Sequence, residues 1–96
     1  MSRQEILQVL ADNKQVLMTR FGVTRLALFG SSVRDTARAD SDVDVLVAFD
    51  GPATSERYFG VQFFLEDLLG KPVDLVTEKA LRAELRPCIE KESVYV

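Results

Sequence analysis

The sequence contains no histidine, a single cysteine and no long hydrophobic run. Without histidine, no imidazole is available as a metal ligand or as a general base. The lone Cys88 cannot form a disulfide within the chain, and we interpret it as a small core residue. Oxygen atoms are therefore the main candidate metal ligands, and these favour a hard cation such as Mg²⁺ over zinc or copper.

A signal peptide, a membrane-spanning segment and an excess of positive charge are missing as well. The first two absences, with the unpaired cysteine, favour a reducing, cytoplasmic location and no contact with a membrane. The net charge of -3 provides no basic surface, which disfavours tight binding to duplex nucleic acid. A length of 96 residues, 47% of them hydrophobic, suits one compact domain over residues 1–96.

Hydrophobic periodicity predicts an α+β fold, in which a small mixed β-sheet is backed by helices. Helices are expected from about residue 2 until Gly22 interrupts the pattern, over residues 54–69, and over residues 78–85. Strands are expected over residues 25–29, 43–49 and 73–77, and residues 93–96 either add an edge strand or dock on a partner. The residues expected to face inward are Ile6, Val9, Leu10, Val16, Leu17 and Phe21 in the first helix, and Phe59, Phe63 or Phe64 and Leu68 in the second.

Two acids, Asp42 and Asp44, occupy alternate positions at the start of the second predicted strand. Side chains two residues apart on a strand point to the same face, so these carboxylates lie together while Val43 and Val45 point the other way. Aspartate is a poor strand former, and two carboxylates on one face can share a cation. The alternative is that both acids protect a solvated edge strand from aggregation.

A third acid, Asp74, lies inside the short strand pattern of residues 73–77. If this strand lies beside residues 43–49, Asp74 shares the face of Asp42 and Asp44. Three carboxylates can bind Mg²⁺, and Mn²⁺ is a possible substitute. Two ions held about 3.5–4 Å apart would activate an attacking oxygen and neutralise a leaving pyrophosphate, a task that no histidine is present to share.

A small-residue turn, Gly30-Ser31, follows the first predicted strand, and ten residues separate it from Asp42. Glycine allows a tight turn and close backbone approach, while the Ser31 hydroxyl and the backbone N–H groups after it suit phosphate oxygens. Arg34 contacts phosphate or forms a salt bridge to a neighbouring acid, such as Asp35. A Gly-Ser pair alone predicts little. What indicates a functional site is the order of the features: a strand, the Gly-Ser turn, the Asp-x-Asp strand and the third acid.

Together, the GSSVR turn, the DSDVDVLV strand and the PVDLV strand resemble the minimal nucleotidyltransferases (MNT) of the DNA polymerase β-like superfamily, many of which pair with HEPN-domain proteins as antitoxins. The resemblance covers nearly the whole chain and implies the polymerase β-like nucleotidyltransferase fold. It implies that Gly30 and Ser31, with Ser32 and Arg34 beside them, contact the triphosphate. It also implies that Asp42 and Asp44 bind metal ions, and that Asp74 is either a ligand or the base for the incoming hydroxyl.

The expected activity is transfer of AMP from ATP to a hydroxyl. By resemblance, the acceptor is a tyrosine of a HEPN-type RNase toxin, in a possible hetero-oligomer with this chain. No sequence feature identifies which nucleotide base is bound, so the choice of ATP over other triphosphates also rests on the resemblance. Two alternatives remain: an antitoxin that neutralises its toxin by binding alone, and an enzyme that modifies a small molecule such as an aminoglycoside.

Overall fold

The structure, a computed structural model, describes residues 3–30, 42–80 and 93–96. In these ranges lie two helices, four strands and a short 3₁₀ turn. They are α1 (Arg3–Phe21), β1 (Val23–Leu28), β2 (Val43–Phe49), α2 (Ser55–Leu69), β3 (Val73–Thr77), the 3₁₀ turn (Glu78–Ala80) and β4 (Val94–Tyr95). Neither α1 nor α2 is long and apolar enough to cross a membrane.

The four strands form one mixed sheet in the order β3-β2-β1-β4. Strand β1 is antiparallel to both β2 and β4, whereas β2 and β3 are parallel. Parallel neighbours need a crossover connection, and α2 supplies it between β2 and β3. The predicted α+β architecture, a small mixed sheet backed by helices, is confirmed.

Both helices pack on one face of this sheet. On β2, the buried residues Val43, Val45 and Val47 belong to the hydrophobic core, and Asp44 lies on the opposite face. This confirms the predicted alternation. The core is completed from the helices and the other strands by Ile6, Leu10, Leu17, Val23, Leu26, Leu28, Val61, Leu65, Leu69, Val73 and Leu75.

Helix α1 ends where the sequence predicts. Gly22 follows it with a φ of 74°, and its N–H donates to the carbonyl of Met18 over 3.1 Å. A left-handed residue at this position favours glycine, so the stop is encoded locally. The inward-facing prediction is confirmed for the buried residues Ile6, Leu10 and Leu17, but Val16 is exposed.

The predicted inner face of α2 is wrong in part: Phe64, the stated alternative to Phe63, is partly buried and packs against the core. Phe59 and Phe63 are 49% and 61% exposed, and Leu68 is also exposed, whereas Val61, Leu65 and Leu69 are buried. Apolar residues occur on more than one side of this helix, so periodicity leaves its rotation ambiguous. Contact with α1 settles it. A Cβ on Gly60 would lie 2.6 Å from the Phe21 ring, so Phe21 of α1 can lie this close to α2 because Gly60 has no side chain.

Three polar side chains of α2, at intervals of four residues, cover the free edge of β3. The Tyr58 hydroxyl donates to the carbonyl of Leu75, and Gln62 Nε2 donates to the carbonyl of Val73 over 3.1 Å. Glu66 Oε2 accepts the N–H of Val73 over 2.9 Å. We call Tyr58, Gln62 and Glu66 the edge clamp. It satisfies backbone groups that an edge strand would otherwise leave open to another chain.

The remaining predicted elements are close to the observed ones. The predictions for β2 and β3 are confirmed at both ends, α2 begins one residue late because Thr54 is its N-cap, and β1 starts at Val23 rather than Arg25. Of the predicted third helix only the 3₁₀ turn is described, and residues 81–85 and Cys88 lie outside the described ranges. The tail forms the edge strand β4, and Val96 accepts a hydrogen bond from Lys14 Nζ over 2.6 Å.

The rotation of α2 predicts losses of stability of different size for two truncations. Leu65→Ala empties a fully buried position and should lower the free energy of unfolding by about 2–5 kcal/mol. Phe63→Ala removes a mostly exposed ring and should cost less than about 1 kcal/mol. Urea denaturation of both variants checks this, and a larger loss in Phe63→Ala would contradict the observed rotation.

Candidate active site

Asp44 and Asp74 are direct neighbours across the parallel pair β2–β3. Their Cα atoms are register partners, next to the pair formed by Val43 and Val73. The N–H of Val43 donates to the carbonyl of Pro72 over 2.9 Å, which extends the pairing to the start of both strands. Side chains at paired positions of adjacent strands share a face, so the two carboxylates emerge side by side. The predicted common face of Asp44 and Asp74 is confirmed.

Asp42 lies just before β2, two residues from Asp44, and its side chain is exposed. The edge-strand interpretation does not fit Asp42 and Asp44, because β2 is an inner strand with β1 on one side and β3 on the other. Asp74 does lie on an edge strand. That edge is already covered by the edge clamp, so a solvated acid is not needed to protect it.

Gly30 brings the end of β1 against the Asp44 carboxylate. The N–H of Phe29 donates to the carbonyl of Asp44 over 3.0 Å, and Gly30 follows with a φ of 67°. A Cβ built on Gly30 would lie 2.6 Å from Asp44 Oδ2, a distance that real Cβ atoms do not show. Glycine is therefore required at this position for two reasons. Its backbone is left-handed, and the Asp44 carboxylate occupies the space that a Cβ would fill. The sequence predicted a close backbone approach, but not that Asp44 makes it.

The other predicted nucleotide-binding residues, Ser31, Ser32 and Arg34, lie outside the described ranges. Within the described ranges, no three acidic, histidine or cysteine side chains are close enough together to hold a metal ion. Asp44 and Asp74 are therefore in register, and Asp42 lies two residues before Asp44 in the sequence. The three carboxylates do not form a single cluster in the structure. The donor chemistry fits Mg²⁺, which prefers oxygen ligands and is often bound by one or two carboxylates plus substrate phosphates.

A second polar cluster lies on the carboxylate face, towards the other end of the sheet. Glu78 is only 6% exposed, and its carboxylate accepts the Tyr95 hydroxyl over 3.2 Å and faces Arg25 Nη1 at 3.5 Å. The Arg25 guanidinium also lies 4.6 Å from the centre of the Tyr95 ring. These contacts join β1, β4 and the residue after β3. No sequence signal predicted this cluster, because Glu78 resembled an ordinary helix start.

Comparison with known families shows the class of protein to which this fold and acid pair belong. The family described as "Nucleotidyltransferase domain" matches residues 10–96. A relative from Thermococcus cleftensis, named protein adenylyltransferase MntA, is 40% identical over 93 residues, which cover 97% of this chain and 94% of that protein. The chain therefore belongs to the nucleotidyltransferase family and is an enzyme of that class.

Solved structures place it within this family as a minimal member. One that is provisionally described as a minimal nucleotidyltransferase superposes with a TM-score of 0.83 at 37% identity, over 98% of this chain and 95% of the other. A tri-AMPylated Shewanella oneidensis HEPN toxin in complex with an MNT antitoxin matches with a TM-score of 0.60 at 19% identity, over 97% of this chain and 66% of the other. The second match, at this identity, shows the shared fold alone.

Two glycine substitutions separate the backbone role of Gly30 from its contact with Asp44. Gly30 and Gly70 have similar positive φ angles, but a Cβ at Gly70 would meet nothing within 4 Å. Each change to alanine should lower the free energy of unfolding by about 1–2 kcal/mol, the usual cost of a left-handed conformation. Only Gly30→Ala should also displace the Asp44 carboxylate.

We therefore expect Gly30→Ala, and not Gly70→Ala, to lose most of the increase in melting temperature that Mg²⁺ with ATP gives the wild type. Differential scanning fluorimetry with and without Mg²⁺-ATP measures this, since a ligand that binds only the folded state raises the melting temperature. Equal ligand-induced shifts in the two variants would mean that the Gly30–Asp44 contact has no part in binding.

Proposed function

We propose that this chain is a metal-dependent nucleotidyltransferase that moves AMP from ATP to a hydroxyl group of a partner protein. The observation that carries the proposal is the parallel register of Asp44 and Asp74, with the Gly30 backbone against Asp44. Three acids beside a triphosphate would repel it, so the site needs a cation between them. Transfer of AMP in particular is supported by the relative that is named a protein adenylyltransferase.

The proposed reaction breaks one phosphorus–oxygen bond and forms another. The acceptor hydroxyl oxygen attacks the α-phosphorus of ATP, the bond to the bridging oxygen between the α- and β-phosphates breaks, and pyrophosphate leaves. In the proposed assignment, Gly30, Ser31, Ser32 and Arg34 hold the triphosphate at the end of β1. Asp74 is either a metal ligand, in which case the hydroxyl proton passes to solvent water, or the base that accepts this proton.

Asp42, Asp44 and Asp74 are the residues that would hold Mg²⁺, as two ions or one, with Mn²⁺ as a possible substitute. When bound, the metal would offset the charge of the triphosphate and stabilise the leaving pyrophosphate. What the protein contributes is the spacing of the carboxylates, which the register of β2 and β3 sets.

We further propose that the acceptor is a tyrosine of a HEPN-type RNase toxin, and that the modification makes this chain an antitoxin. The AMPylated HEPN toxin in complex with an MNT antitoxin supports the kind of partner, and the acceptor residue rests on the family resemblance. ATP and cellular RNA are both cytoplasmic, which supports action in the cytoplasm. We propose that residues 1–96 form a single catalytic domain, which assembles with its target into a hetero-oligomer.

A binding antitoxin without catalysis remains the second candidate, and one surface favours it. Phe59 and Phe63 are exposed on α2, and their rings stack with centroids 6.1 Å apart. Exposed aromatic pairs are frequent at protein interfaces. The two candidates differ in whether neutralisation depends on the carboxylates.

Co-expression with a HEPN-type toxin, followed by intact mass measurement, tests the proposal. The toxin should gain one or more AMP units with the wild-type chain, and the gain should fall at least about a hundredfold in rate with Asp44→Asn, because removal of a charge that stabilises the transition state has effects of this size. Asp67→Asn is the matched control, since it removes an exposed acid from α2 and should behave as the wild type.

Neutralisation of the toxin by Asp44→Asn, with no change in toxin mass, would favour the binding antitoxin. A toxin that binds the wild-type chain and stays unmodified in the presence of ATP and Mg²⁺ would contradict the proposed activity.

A further inference from the structure

Asp74 is flanked on both sides by residues whose backbone is fixed from α2. The edge clamp binds Val73 at both its N–H and its carbonyl, through Glu66 and Gln62, and binds the carbonyl of Leu75 through Tyr58. These are the residues immediately before and after Asp74.

The pattern follows from the geometry of a parallel strand at an edge. Along a strand, successive residues direct their backbone N–H and C=O groups to opposite edges. The backbone groups of Val73 and Leu75 therefore point away from β2 when those of Asp74 point towards it. Outward groups on an edge strand normally bond to water and let the strand fray. Here α2 side chains take the place of water, so β3 is held between β2 on one side and α2 on the other.

This arrangement matters for the chemistry because Asp44 and Asp74 lie on different strands. Asp44 is on the inner strand β2, whose position is fixed by β1 and β3. Among the described strands, only β2 lies beside β3, so fraying of β3 would move the Asp74 carboxylate away from Asp44. A catalytic group displaced by about 1 Å can lose about a hundredfold in rate.

We infer that Gln62 and Glu66 are positioning residues for Asp74: they hold the backbone of Val73 so that the Asp74 carboxylate stays in register with Asp44. This inference rests on the proposed function, in which Asp74 acts at the transferred phosphate. Neither residue is assigned a contact with nucleotide, metal or acceptor. Their effect passes through two backbone hydrogen bonds, of 2.9 Å from Glu66 and 3.1 Å from Gln62.

The test compares two changes at Glu66. Glu66→Ala removes the acceptor, whereas Glu66→Gln keeps an oxygen that can accept the N–H of Val73. Hydrogen exchange at the Val73 amide reports the clamp, and the rate of AMP transfer to the HEPN-type toxin under saturating Mg²⁺-ATP reports its consequence. In Glu66→Ala we expect the exchange rate to rise at least about tenfold, because a hydrogen bond to a charged acceptor is lost. We expect kcat to fall at least about tenfold, because the Asp74 carboxylate is no longer held in place.

Glu66→Gln should stay within about twofold of the wild type in both measurements, because the hydrogen bond is retained. Asp67→Ala, the adjacent change on the same helix, should leave both unchanged. All variants are compared at a temperature at which each is fully folded. A merely structural role would lower the melting temperature without lowering kcat under those conditions.

The outcomes separate the inference from the function on which it rests. If Glu66→Ala raises the hydrogen-exchange rate of the Val73 amide but transfers AMP at the wild-type rate, the positioning role is overturned and the proposed function stands. If the wild type transfers no AMP, the proposed function fails. In that case, two measurements test the inference: hydrogen exchange at the Val73 amide, and the broadening of the Asp74 amide signal by Mn²⁺-ATP. The inference is overturned if Glu66→Ala changes neither.

Discussion

The parallel pairing of β2 with β3 is the constraint on which the site depends. It makes Asp44 and Asp74 neighbours although thirty positions separate them in the sequence, and it places both on the face that α1 and α2 leave uncovered. A shift of one residue between the strands would send Asp74 into the core and Val73 to the surface. Burial of Val73 and Leu75 opposes that shift, so the hydrophobic core fixes the register and the register fixes the carboxylates.

Other features reinforce this pairing from both ends. The α2 crossover begins at the Thr54 cap and ends at Gly70, and its edge clamp holds the outer side of β3. At the end of β1, the absence of a side chain on Gly30 leaves room for the Asp44 carboxylate. The site is thus assembled from backbone positions that the fold fixes. This suits chemistry in which orientation and electrostatics supply most of the catalysis.

Local patterns made much of this predictable from the sequence. Alternating Asp and Val over residues 42–45 predicted the start of the strand and its two faces, Gly22 predicted the end of α1, and the short run around Asp74 predicted β3. The rotation of α2 was not predictable, because Phe59 and Phe63 are as hydrophobic as the residues that are buried. The edge clamp and the Glu78 cluster depend on contacts between distant segments, which no local pattern reveals. The turn residues Ser31, Ser32 and Arg34 stay predictions.

A double-mutant cycle on Asp44 and Asp74 tests the central claim, that the β2–β3 register places both carboxylates at one Mn²⁺-ATP site. The dissociation constant for Mn²⁺-ATP is measured by calorimetry for the wild type, Asp44→Asn, Asp74→Asn and the double variant. If both carboxylates lie at one bound ligand, the losses are not additive, and the coupling free energy should lie between about 1 and 3 kcal/mol. Additive losses, with a coupling energy near zero, would show that the carboxylates act separately and would contradict the account.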